Sequence, residues 1–150
     1  MTQTINISYE HYTLDTLPTS DSELVKAAFE ATTQAYAPFS GFKVGAAARL
    51  RSGEIITAAN CESEVFPSGL CAERSLLYHY ATNHADTPIE AMAIASNPSE
   101  RECYPCGACR QVMLDTENRQ QNPIRIIMAG GGTATVVKSA KDLLPFTFRL

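Results

Sequence analysis

Apolar and polar positions along the chain switch repeatedly between a period near two and a period near 3.6, which lays strands and helices out in alternation. Residues 1–19 show little periodicity. Ile5 to Leu14 has weak strand character, and residues 1–20 read as an N-terminal extension lying on a single domain of residues 21–150. Ser20-Asp21-Ser22-Glu23 has capping-box spacing, with Ser20 as N-cap. Leu24, Ala28, Ala31 and Ala35 then recur at helical spacing, beside Val25 and Phe29, and predict an amphipathic helix to about Tyr36, closed off by Pro38. Phe42–Leu50 and Glu54–Ala59 read as strands joined at Arg51-Ser52-Gly53, a hairpin. Pro67-Ser68-Gly69 breaks the chain before a helix from Cys71 to about Thr82, with Leu76, Leu77 and Tyr80 on its apolar side.

Ile89–Ala95 is almost continuously apolar, which fits a strand covered on both faces. Residues 97–104 form a loop, and Pro105 stands where a helix can begin without losing a hydrogen bond. The helix runs from Cys106 to about Glu117, with Val112 and Met113 inward. Ile124–Met128 is a further apolar strand, Gly130-Gly131-Gly132 a turn, and Thr135–Val137 a last short strand. Ser139 caps a final turn through Leu144, stopped by Pro145. The alternation predicts an α/β fold, a three-layer α/β/α domain around a mixed sheet of about five strands.

The chain has 150 residues and is 45% apolar, enough for one domain with a proper core. A formal net charge of −4 argues against broad phosphate neutralisation, so nucleic acid is not an expected partner. No apolar run approaches the roughly 20 residues of a membrane span, and the start of the chain lacks the basic and apolar pattern of a signal peptide. Five cysteines, three of them within Cys103–Cys109, do not form a secreted disulfide framework. They fit a reducing, cytoplasmic setting with metal or catalytic use.

Cys106-Gly107-Ala108-Cys109 is a C-x-x-C pair preceded by Pro105, and Cys71 stands upstream with Glu73 two places later. Cys-x-Glu followed by P-C-x-x-C is a signature of zinc deaminases. Zinc prefers four tetrahedral ligands, and a catalytic site leaves one for water. Cysteines at the starts of two helices can supply the other three, because helix N-termini favour thiolates. Three thiolates on one zinc ion leave a formal negative charge, and Arg74 and Arg110 are the candidates to offset it from behind the sulfurs. Other readings exist for parts of the pattern. A lone C-x-x-C suits half of a structural zinc site or a redox pair. Cys103, Cys106 and Cys109 resemble part of an iron–sulfur motif, but position 113, where its fourth cysteine would stand, is methionine. A structural zinc or iron–sulfur module predicts a closed coordination sphere and no need for Glu73. Cys61 and Cys103 read as small buried apolar residues, and Asp21 and Glu23 as solvated or capping carboxylates.

Beyond the cysteines, several blocks occur in order: Ala35-Tyr36-Ala37-Pro38-Phe39-Ser40, Val44-Gly45-Ala46-Ala47, Asn60-Cys61-Glu62, Cys71-Ala72-Glu73-Arg74, Pro105-Cys106-Gly107-Ala108-Cys109-Arg110-Gln111, and Leu143-Leu144-Pro145 with Phe148. Through them the chain resembles the small homotetrameric zinc-dependent cytidine deaminases of pyrimidine salvage. The resemblance implies one Zn2+ per chain on Cys71, Cys106 and Cys109, with Glu73 as proton shuttle in hydrolytic deamination of cytidine and 2′-deoxycytidine. It implies that the Ala72 N–H meets the base carbonyl, that Phe42 stacks on the base, and that Asn60 and Glu62 bind sugar hydroxyls. Phe148 would reach into a neighbouring subunit's site. The chain departs from the family pattern at Ser63, Glu64 and Phe66, which replace a second asparagine, its neighbour and a frequent tyrosine. Those changes bear on sugar recognition and keep a rival open: the same chemistry on another aminopyrimidine or a modified, blasticidin-type nucleoside.

Overall fold

A computed structural model describes all residues, 1–150. Six strands, β1 (Glu10–Thr13), β2 (Lys43–Leu50), β3 (Ile55–Ala59), β4 (Ile89–Asn97), β5 (Arg125–Gly130) and β6 (Thr133–Val137), form one mixed sheet in the order β1-β6-β5-β4-β2-β3. Only β4 and β5 run parallel; the other neighbours are antiparallel. Three helices cover it: α1 (Thr19–Ala31), α2 (Ala72–Asn83) and α3 (Gly107–Gln120). This is the three-layer α/β/α arrangement anticipated from the pattern.

The central strands explain the layers. On β4, Met92 and Ile94 face one side and Ala91, Ala93 and Ala95 the other, and all five are buried. The first side joins Leu76, Leu77 and Tyr80 of α2 and Met113 of α3 in one core, while the second joins Leu24 and Ala28 of α1 in another. A strand buried on both faces must be apolar at every step, and that is how β4 reads.

The sheet has six strands rather than five. The additional one, β1, pairs antiparallel with β6, from Glu10 opposite Val136 to Thr13 opposite Thr133. Its four residues, Glu-His-Tyr-Thr, carry no apolar alternation, so backbone pairing and ion pairs hold it instead. Arg125 Nη1 lies 3.3 Å from Glu10, and its Nη2 lies 2.8 Å from Asp21 of α1. Asp21 is therefore neither solvated nor a cap; it is buried and ion-paired. Ser20 is not the N-cap of α1 either: the helix begins at Thr19 after Pro18, without a side-chain cap bond. The α-helix stops at Ala31 and continues only as a 3₁₀ turn, Thr32–Gln34. Ser139 caps the last turn as anticipated, accepting from the Lys141 N–H. Cys61 is exposed rather than buried, while Cys103 is partly buried against the core.

Candidate active site

The starts of α2 and α3 converge. Cys71 is the N-cap of α2 and Cys106 the N-cap of α3, and neither side chain is used for capping. Cys109, fully buried, sits in the first turn of α3. Three residues along, it faces the same side as Cys106. The Sγ atoms of Cys71 and Cys106 lie 3.8 Å apart, those of Cys106 and Cys109 3.4 Å apart, and all three fall within 4.8 Å of one another. Two thiolates on a tetrahedral zinc ion, at Zn–S distances near 2.3 Å, stand about 3.8 Å apart. The trio therefore fits such an ion. Hydrogen bonding from the Cys109 thiol, followed by Arg74 and Cys106, lowers the Cys71 thiol to about 5, whereas Cys71 and burial together push the Cys109 thiol upward.

Glu73 lies in the first turn of α2, 3% exposed. Burial, reinforced by negative charge on Cys71, pushes its carboxyl up to about 7. The two candidate arginines differ. Arg74 Nη2 lies 3.8 Å from Cys71 Sγ, and its buried Nε has no hydrogen-bond partner. Arg110 points elsewhere: its Nε donates to Pro105 O at 2.8 Å and its Nη1 to Leu143 O at 3.1 Å. It ties the loop before Cys106 to the C-terminal turn.

Asn60 and Glu62 line a cleft of about 320 Å³ with Phe39, Phe66, Cys71 and Arg74. Asn60 accepts from the Val44 N–H at 2.8 Å and donates to Phe42 O at 2.9 Å. Glu62 accepts from the N–H groups of Phe39 and Ser40 and from the Ser40 hydroxyl. These bonds, the Ser40 hydroxyl foremost, hold the Glu62 carboxyl below the usual carboxylate range. Phe42, half exposed in the loop before β2, lines a second and larger groove with Cys103, Tyr104 and Arg110. Ala72 is the buried first residue of α2, where a helix has backbone N–H groups to spare. Phe148 lies exposed near the C-terminus and lines neither cleft. Ser40 is not legible as a site residue from spacing, because its link to Glu62 spans 22 positions and follows no period. Phe66 meets Phe39 edge-on, with ring centroids 5.8 Å apart, a contact equally hidden from spacing.

Comparison with known proteins agrees with this geometry. The family profile described as the cytidine and deoxycytidylate deaminase zinc-binding region matches residues 18–121, a span that contains all three cysteines and Glu73. The chain belongs to that deaminase family. A cytidine deaminase of Mycobacterium tuberculosis is 31% identical over 139 residues, covering 89% of this chain and 94% of that protein. One of Halalkalibacterium halodurans is 40% identical over 93 residues, 61% of this chain and 68% of that protein. The crystal structure of cytidine deaminase from Burkholderia pseudomallei superposes with a TM-score of 0.72 at 35% identity, covering 84% of this chain and 97% of that one. With family and donor geometry in agreement, the cysteine trio is a site for one zinc ion per chain.

Proposed function

We propose that this chain hydrolytically deaminates cytidine and 2′-deoxycytidine, giving the corresponding uridine nucleosides and ammonia. The observation that carries the reading is the placement of Glu73: a buried carboxyl within one helical turn of the N-cap cysteine of a three-sulfur zinc site. Family membership and the cytidine deaminases among its relatives support it.

Zinc held by Cys71, Cys106 and Cys109 supplies Lewis acidity, which makes water acidic enough to provide a nucleophile near neutral pH. The chain's own residues do the rest. Glu73 takes one proton from water and passes it to N3 as the water oxygen bonds to C4. It then takes the proton of the resulting C4 hydroxyl and delivers it to the amino group, so that the C4–N bond breaks, ammonia leaves and the C4 carbonyl forms. Arg74 offsets the charge of the thiolates from beside Cys71. The Ala72 N–H meets the base carbonyl, Phe42 faces the ring, and Asn60 and Glu62 meet the sugar hydroxyls. Buried or pre-bonded polar groups of this kind discriminate well against ligands lacking the hydroxyl they serve.

The same reading includes a homotetramer with shared sites, in which Phe148 serves a neighbouring subunit, a cytoplasmic setting, and a place in nucleoside salvage. It takes residues 21–150 as the catalytic domain and 1–20 as an extension whose residues Glu10–Thr13 join the domain's sheet as β1. A second reading, the same chemistry on a modified nucleoside, draws on Phe66, which brings an exposed apolar ring to the cleft beside Asn60 and Glu62.

Loss of ultraviolet absorbance on deamination tests the reaction directly, with Glu73→Gln run beside wild type and zinc measured in both. Wild type is expected to convert both nucleosides, and the variant to keep its zinc while losing at least about a thousandfold in kcat. Zinc-loaded wild type that leaves both nucleosides untouched would sink the reading and turn attention to modified nucleosides.

A further inference from the structure

We propose that Ser40 is a positioning residue for nucleoside recognition, its hydroxyl joining the carboxylate of Glu62 to the backbone of Phe42. The inference rests on the cytidine reading above and extends it to a residue with no direct part in the chemistry.

A serine hydroxyl has a single proton to give. Here it goes to Glu62 Oε2 at 2.6 Å, while the serine Oγ itself accepts the Phe42 N–H at 3.0 Å. The direction of both bonds is fixed, since an ionised carboxylate only accepts and an amide N–H only donates. Glu62 Oε1 meanwhile accepts the N–H groups of Phe39 at 2.9 Å and Ser40 at 3.1 Å. On its other side, the Phe42 carbonyl accepts from Asn60 Nδ2 at 2.9 Å. The backbone of Phe42 is thus held at its carbonyl by Asn60 directly and at its N–H by Glu62 through Ser40. One hydroxyl carries the coupling on the N–H side.

The arithmetic of acceptors sharpens the consequence. A carboxylate offers about four lone-pair positions, and the loop fills three of them here. Glu62 therefore has room for about one further donor, enough to read a single sugar hydroxyl and too little to grip a vicinal pair. A site built in this way accepts ribose and 2′-deoxyribose alike, provided that the hydroxyl it reads is the 3′-OH, which both keep. Without the Ser40 hydroxyl, Glu62 is freer to rotate and Phe42 loses its N–H anchor. Substrate binding should suffer more than the chemical step.

The test is steady-state kinetics of zinc-loaded wild type, Ser40→Ala and Ser40→Thr on cytidine, 2′-deoxycytidine and 2′,3′-dideoxycytidine, with zinc content and melting temperature measured alongside. Ser40→Ala is expected to raise KM about tenfold for the first two, the scale of one hydrogen bond to a charged group, with kcat within about threefold of wild type. Ser40→Thr, which keeps the hydroxyl, should recover most of the loss. 2′,3′-Dideoxycytidine lacks that 3′-hydroxyl and keeps only the 5′-OH, so its KM should rise only about twofold on the same substitution. An equal KM rise on all three nucleosides overturns the proposal, as does a fall in kcat at constant KM, an unchanged Ser40→Ala, or failure of Ser40→Thr to recover. Wild type inert towards all three overturns the cytidine reading, and this inference falls with it.

Discussion

Glu73 is held where its charge is disfavoured, and the consequence can be measured. With its carboxyl pushed up to about 7, chiefly by burial, the folded chain binds a proton there that the unfolded chain, with an ordinary carboxyl, releases near 4.5. Its contribution to stability is therefore fully present below about 4.5 and is lost as pH rises through about 7. Cys71 has the opposite sign: its lowered thiol favours folding above the ordinary thiol range, and that contribution is lost as pH falls through about 5. In the metal-free chain the two trends oppose each other, so wild type alone does not separate them. The difference does. Denaturant unfolding of metal-free wild type and Glu73→Gln between pH 4.5 and 7.5 is expected to show wild type losing about 3 kcal/mol relative to the variant as pH rises. A difference flat in pH would mean that Glu73 is not strained by burial.

At the level of elements, the site depends on how closely α1 is allowed to approach the sheet. Gly45 of β2 faces α1, and a Cβ placed there would stand 1.9 Å from the Ala28 carbonyl oxygen and 2.9 Å from the Thr32 nitrogen. Both are backbone atoms with no rotamer to yield. The same face of the sheet is lined with small residues, Ala47, Ala91, Ala93 and Ala95, so the helix lies almost on the backbone of the strands. Gly45→Ala is expected to cost roughly 3 kcal/mol through overpacking, with a corresponding fall in melting temperature. Val44, the neighbour, donates its N–H to Asn60 Oδ1, so the lifted strand should also disturb the sugar side of the cleft. A variant as stable as wild type would show that α1 can move away without penalty.

For the whole molecule, exposed aromatic rings bear on association. Phe148 is 73% exposed at the end of the chain, and Phe146, Phe66 and Tyr104 are exposed as well. Exposure of this kind fits the proposed tetramer with shared sites. Sedimentation should give a species of four chains. A mixing experiment tests the sharing: Phe148→Ala subunits keep Glu73, and Glu73→Gln subunits keep Phe148. Dissociated and reassembled together, they should recover activity that neither shows alone. Reassembly without recovery would mean that each chain completes its own site.

The sequence by itself determined the alternation of elements, because strands buried on both faces and helices with one apolar stripe leave periods that can be read locally. It also determined the zinc chemistry. Cys71, Glu73, Cys106 and Cys109 sit at helix starts in two short motifs, where spacing along the chain nearly dictates spacing in space. Tertiary structure decided what spacing does not encode. The sixth strand is polar and exists through pairing with β6 and the reach of Arg125 to Glu10 and Asp21. Arg74 and Arg110 look equivalent beside their cysteines, yet one meets a sulfur and the other two carbonyls, because helix direction and the neighbouring turn set where each guanidinium can go. The clasp of Ser40, Glu62 and Phe42 joins segments with no common period, so it came into view only once β2 and the loop after β3 lay side by side.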